Sequence, residues 1–161
     1  DPLTGLFNRR FMWEWLDHQF KQAERYEYII AAIMLDIDMF KEINDKHGHH
    51  TGDLVLKELA SLLHTCVRES DIVVRYGGEE FLLLLPRCSR DMAREVAERV
   101  RRIIAENGIS GFKPGMVTCS LGVALYEPEV GLLPDDLLKE ADRLLYIAKS
   151  SGRNQVTCIE G

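Results

Sequence analysis

No apolar run in this 161-residue chain approaches the roughly 20 residues needed to cross a bilayer. The longest, IIAAIML at 29–35 and FLLLL at 81–85, fall far short. No basic segment followed by an apolar stretch and a small-residue cleavage site directs the chain to secretion. The four cysteines, Cys66, Cys88, Cys119 and Cys158, never fall in CxxC spacing, which argues against both a thiolate zinc site and a disulfide framework; the expected setting is a reducing cytoplasm. Positive charge is not in excess: 20 Lys and Arg against 26 Asp and Glu give a net charge of −6, so a nucleic-acid polymer is not an expected partner. A small phosphate ligand stays open, because a few cations and a metal can hold a nucleotide in an acidic protein. There is no Walker A glycine loop, no linker, no repeat and no low-complexity tract.

With 46% hydrophobic and 29% charged residues, the chain reads as one globular domain able to bury a core. Phe11, Trp15, Leu16, Phe20 and Ala23 recur at helical spacing, predicting a helix over 8–27 capped by Asn8. YIIAAIMLDI (28–37) is a strand apolar on both faces, the pattern of a central strand. A short helix FKEINDKH and the turn GHHTGD lead to a helix over 52–67 that faces Leu56, Leu59, Leu63 and Val67 inward. IVVRY and FLLLL form a hairpin through Gly77 and Gly78, expected to supply the positive φ of a tight turn. A helix from the cap Ser89 to Gly108 is expected to face Met92, Val96, Val100 and Ile103 inward. MVTCSLGVALYE alternates as a half-buried strand, a helix runs from Asp135 to about Ser150, and QVTCI is a last edge strand. The expected fold is α+β: a single domain with a mostly antiparallel sheet of about five strands flanked by helices.

Two acidic pairs end strands: Asp36 and Asp38 close the first, and Glu79 and Glu80 sit at the hairpin turn. If they meet at one rim, their mutual repulsion calls for a cation or a proton, and hard oxygen donors favour Mg²⁺. Adjacent glutamates on a regular strand point to opposite faces, so both reach one site only from an irregular turn. Standing alone, such acids more often just solvate loop ends.

They do not stand alone. Four separated motifs, DPLTGLFNRR (1–10), LDIDMFKEINDKHGHHTGD (35–53), RYGGEEF (75–81) and EADRLLYIAKSSGRN (140–154), occur in order and together resemble the catalytic domain of diguanylate cyclases, the family with the GG(D/E)EF signature. The resemblance spans essentially residues 1–161 and implies a fold similar to the nucleotidyl cyclase and polymerase palm. It implies an activity, condensation of two GTP into cyclic di-GMP, and a C-terminal position in a longer sensor protein whose missing upstream part could anchor it to a membrane.

By position, the resemblance makes Asp36, the carbonyl of Ile37, Glu79 and Glu80 ligands of two Mg²⁺ per site, with Mn²⁺ a possible substitute. Glu79, Glu80 and Lys41 become catalytic, and Phe40 and Lys41 contact the triphosphate. Asn44 and Asp53 read guanine, with His49 near the nucleoside and Gly77 and Gly78 against the substrate. Lys149 and Arg153 match γ-phosphate contacts. Arg68, Asp71 and Arg99 match an inhibitory site for the product. Two copies must meet, each holding one GTP.

Plainer readings compete. His47 to His50 lie in a turn with no common face, so no transition-metal site is expected. Trp13 and Trp15 read as core and surface anchors, the methionines as core residues, and Asp38 as a supporting acid rather than a direct ligand. The rival functions are a non-catalytic GTP or cyclic di-GMP receptor on the same fold and a cyclase for another nucleotide.

Overall fold

A computed structural model describes residues 1–159. Helix α1 (Arg9–Tyr26) precedes strand β1 (Ile30–Ile37); α2 (Phe40–His47) and α3 (His49–Cys66) follow, then β2 (Ile72–Arg75), β3 (Glu80–Pro86), α4 (Arg90–Glu106), β4 (Cys119–Tyr126), a short 3₁₀ turn, α5 (Pro134–Ser150) and β5 (Val156–Cys158). The sheet order is β2-β3-β1-β4-β5. Among the described strands β4 and β5 pair in parallel and the other three pairs are antiparallel, with an isolated parallel bridge between Phe7 and Val74, so the expected α+β sheet with helices on it stands.

All eight residues of β1 are buried, because the sheet is covered on both sides. Ala31, Ile33, Leu35 and Ile37 enter a core with Phe81, Leu83, Leu59, Leu63 and Val100 beneath α2, α3 and α4. Ile30, Ala32 and Met34 enter the second core with Leu82, Leu84, Leu16, Phe20 and Leu144 beneath α1 and α5. The strand period of two thus feeds two cores from one apolar run. Truncating a residue such as Leu83 to Ala would cost about 2–5 kcal/mol.

Two close approaches set the helices' positions. At Gly122 a Cβ would overlap backbone atoms of Ala141 and Leu145, so α5 lies directly on β4. On α4 the residues against the sheet are Ala93, Ala97, Val100 and Ile104. The expected face is therefore rotated: Met92 is exposed, while Val96 and Ile103 pack at the margin, because small alanines allow the closest approach of helix to sheet. Phe11, expected inward on α1, is likewise exposed and stacks on Phe7 at 4.1 Å between ring centroids, leaving Met12 on the core face. Among the methionines, Met12 and Met34 are buried but Met39, Met92 and Met116 are not. Helix α3 starts three residues earlier than expected and ends before Val67, and β4 is buried on both faces rather than half-buried.

Candidate active site at the diglycine rim

The hairpin loop between β2 and β3 brings the two acidic pairs to one edge. Antiparallel pairing sets Asp36 opposite Glu80, so their side chains leave the same face of the sheet at neighbouring positions. The amide of Ile37 donates to the carbonyl of Glu79 at 3.3 Å. Glu79 lies in the loop and Glu80 opens β3, the irregularity that lets adjacent glutamates address one place.

The diglycine does not act as expected. Neither Gly77 nor Gly78 takes the left-handed conformation, and the loop spans four residues closed by the amides of Tyr76 and Gly77 on the carbonyl of Glu80 at 2.9 and 3.1 Å. What Gly77 supplies is room: a Cβ there would stand 2.5 Å from Oε2 of Glu80, whereas a Cβ on Gly78 would meet nothing.

Asp36 is 5% exposed. Burial pushes its carboxyl up to about 6; the Lys149 ammonium opposes that rise by hydrogen bond and charge, and Glu79 and Glu80 add to it. Lys149 Nζ lies 2.7 Å from Asp36 Oδ2, placed there because α5 rides directly on β4. The sequence reading gave Lys149 to a phosphate; here its partner is the strand-end acid. A buried carboxylate with two further acids beside it and one ammonium for compensation is a donor set suited to a hard divalent cation.

Phe40, buried, and Lys41, exposed, begin α2 directly beyond the strand end. Asn44, further along α2, packs on α3: a Cβ on Gly52 would overlap its Oδ1. The next residue, Asp53, is exposed, as is His49 at the start of α3, so the three proposed nucleoside contacts gather at the α2–α3 junction. Arg153 follows α5 in an exposed turn at φ 63°. Among the described residues no group of three or more His, Cys, Asp or Glu is already arranged to hold a metal ion, so a cation at this rim would need Lys149 to give up Asp36 and the glutamate carboxylates to turn toward it. His47 sits edge-on to Phe112, a packing role.

A second cluster lies behind the sheet. Arg68 Nη2 and Asp71 Oδ1 are 2.9 Å apart, and Arg68 also donates to the Pro86 carbonyl at 2.9 Å. Arg99 donates to the Cys66 carbonyl at 2.8 Å. All three line one cleft of about 150 Å³ with Cys88 and Met92.

The sequence reading missed one contact entirely and, for Asp38, which it expected as a supporting acid, missed the partners. Arg75 bridges the Asp1 carboxylate at 3.2 Å and the Gly78 carbonyl at 2.9 Å, stapling the N-terminal turn to the diglycine loop. Asp38 is buried and takes hydroxyl bonds from Thr118 and Ser120. The polar pair Thr118 and Ser120 in an otherwise apolar stretch was the available signal for the second; local spacing carries none for the first.

The model of the family described as diguanylate cyclase, GGDEF domain, matches residues 1–155. The chain belongs to that family. It is 45% identical over 159 residues to the uncharacterized protein YhcK of Bacillus subtilis, covering 97% of this chain and 44% of that protein. Identity is 42% to diguanylate cyclase DgcM of Escherichia coli, over 97% of this chain and 37% of the relative, and 43% to response regulator PleD of Caulobacter vibrioides, over 97% and 35%. The chain thus spans less than half the length of these curated relatives. Among solved GGDEF structures, DgcB of Caulobacter crescentus, a coiled coil and GGDEF domain in complex with c-di-GMP, superposes with a TM-score of 0.91 at 33% identity, covering 99% of this chain and 84% of that one. The active GGEEF domain of a diguanylate cyclase from Vibrio cholerae gives 0.89 at 32%, covering 97% and 99%. The α+β palm-like fold is therefore the family's, and no helix among the described residues is long and apolar enough to cross a membrane.

Proposed function

We propose that this GGDEF domain is an active diguanylate cyclase, joining two GTP into cyclic di-GMP with release of two pyrophosphates. The observation that carries the reading is the meeting of buried Asp36 with Glu79 and Glu80 at one sheet edge. Asp36, the Ile37 carbonyl, Glu79 and Glu80 would hold two Mg²⁺, or Mn²⁺ in their place. When bound, these ions lower the pKa of a 3′-hydroxyl and neutralise charge on departing pyrophosphate.

The remaining work falls to side chains. Asn44 and Asp53 hydrogen-bond guanine, and a site built to pair with those edges rejects adenine because its own polar groups would be left unpaired. His49 lies beside the nucleoside, and Gly77 and Gly78 let the substrate approach the loop closely. Phe40 through its backbone and Lys41 through its ammonium hold the triphosphate, and Lys41 stabilises charge as it builds. Arg153 grips the γ-phosphate, and Lys149 exchanges its bond to Asp36 for the same group. Glu80 stands at the reacting hydroxyl and takes its proton; the new bond forms to the α-phosphorus as the bond to pyrophosphate breaks. Each domain holds one GTP, so two copies face each other and the homodimer is the working unit. Arg68, Asp71 and Arg99 form an inhibitory site for cyclic di-GMP, where a guanidinium addresses a guanine edge or phosphate in bidentate fashion. An upstream sensory domain would control the pairing, and the GTP it draws on places the domain in the cytoplasm.

The test is incubation of the purified domain with GTP and Mg²⁺, followed by nucleotide separation. Cyclic di-GMP is expected, and Glu80→Gln should abolish it while GTP binding persists. GTP bound but unchanged would favour the receptor reading, and full turnover by Glu80→Gln would overturn the role of Glu80.

A further inference from the structure

One buried acid at the rim is left without a part in the chemistry above. Asp38 is 6% exposed. Its Oδ1 accepts from the Ser120 hydroxyl at 2.7 Å; its Oδ2 accepts from the Thr118 hydroxyl at 2.8 Å and from the backbone N–H of Asn154 at 3.0 Å. Its own N–H donates to the Thr118 carbonyl at 2.9 Å. A carboxylate so surrounded by donors has its acceptor capacity largely spent inside the protein.

Left-handed residues flank the bonds it makes. Met39, next in the chain, is left-handed at φ 56°, as are the consecutive residues Arg153 and Asn154 at 63° and 46°. Left-handed non-glycine residues persist only where their surroundings over-determine them. Met39 is the cap of α2, makes no side-chain cap bond, and offers its carbonyl to the amides of Glu42 and Ile43. The Arg153–Asn154 turn is gripped three more times: Arg153 N–H donates to the Ala148 carbonyl at 3.1 Å, Gln155 Nε2 to the Arg153 carbonyl at 3.2 Å, and Arg101 Nη1 on α4 to Asn154 Oδ1 at 3.2 Å. Arg101 is itself held by Glu98 at 2.9 Å.

We propose that Asp38 is a positioning residue, a buried clamp that fixes the turn carrying Arg153 relative to the turn that starts α2, with Arg101 as its buttress. The clamp rests on the reading that Phe40 and Lys41 on one turn and Arg153 on the other contact one triphosphate. It sets the distance between those contacts before substrate arrives, the kind of preorganisation that rigid support of a site provides.

The test compares binding of 3′-deoxy-GTP and 3′-deoxy-GDP by calorimetry; neither has the hydroxyl that reacts, and they differ only in the γ-phosphate. Wild-type protein should prefer the triphosphate. Asp38→Ala should lose about tenfold of that preference with binding of the diphosphate little changed. Asp38→Asn should restore most of it, because the amide can offer its oxygen to Asn154 N–H while its NH₂ donates to a rotated Ser120 hydroxyl. Asn154→Gly keeps the left-handed turn and removes only the Arg101 tie; it and Arg101→Ala should each cost a few-fold, and the double variant no more than either. These two variants carry the test should Asp38→Ala fail to fold. A preference present in wild type and kept in Asp38→Ala, or in both buttress variants, would overturn the clamp alone. So would an Asp38→Asn as poor as Ala, which would mark a direct metal ligand, or equal losses for both nucleotides, which would mark general damage. A wild type with no triphosphate preference would instead overturn the γ-phosphate assignment and the clamp with it.

Discussion

Asp36 should weaken the fold that carries it. Its carboxyl is pushed from the usual 3.8 to about 6, burial being the largest cause. Between those values the folded protein holds a proton that the unfolded chain has already released, so stability falls as pH rises through that window. Each unit of displacement is worth about 1.4 kcal/mol, so the ionised acid costs the native state about 3 kcal/mol above pH 6. Asp36→Asn removes that cost; the Lys149 ammonium needs no further deduction, because its opposing effect is already part of the net shift and it lacks an ionised partner equally when wild type is protonated, so the variant should gain up to about 3 kcal/mol between the acid end and pH 8. The assay is urea denaturation of both proteins in chelator from pH 3.5 to 8. The difference in unfolding free energy should be near zero at the acid end, grow through pH 4–6 and level off. Millimolar Mg²⁺ should then stabilise wild type more than the variant. A difference that does not change with pH, or a variant less stable at pH 8, would refute the claim that a buried ionised acid is held at this rim against its own solvation.

The neighbouring residues give sharper contrasts. Gly77→Ala should lower cyclic di-GMP formation more than tenfold while Gly78→Ala stays within a few-fold, read as initial rates, since only a Cβ on Gly77 reaches the Glu80 carboxylate. Arg75→Ala removes the staple between Asp1 and the Gly78 carbonyl and should lower kcat with thermal stability reduced by about 1–2 kcal/mol; unchanged kcat would show that the loop holds itself. Arg68→Ala should relieve inhibition by added cyclic di-GMP without abolishing turnover. Unchanged inhibition would remove the Arg68, Asp71 and Arg99 cleft from the account.

Local rules reached far in this chain where one element's residues settle its own state. IIAAIML has the pattern of a strand buried on both faces and from Ile30 onward is one, and Asn8 and Ser89 announced helix starts that their side chains do cap, on Phe11 N and Met92 N. The acidic rim was legible because its members end adjacent strands. The reading failed where packing distance decides. On α4 it followed the larger apolar residues, yet the sheet takes Ala93 and Ala97 because close approach favours small side chains. At the hairpin it gave Gly77 a conformational reason, yet the requirement comes from the Glu80 side chain three residues on. Neither the Asp1–Arg75 staple nor the bonds from Asp38 to Ser120 and Asn154 could be read from spacing, since they join residues 74, 82 and 116 positions apart.

The central claim is that two of these domains, each presenting one GTP at the Asp36–Glu79–Glu80 rim, make one product together. The direct measurement is the initial rate of cyclic di-GMP formation as protein concentration rises at saturating GTP and Mg²⁺. The account predicts a rate per domain that climbs with concentration until pairing saturates. A rate per domain that is flat from the lowest concentration, in protein shown to be monomeric across the range, would contradict it.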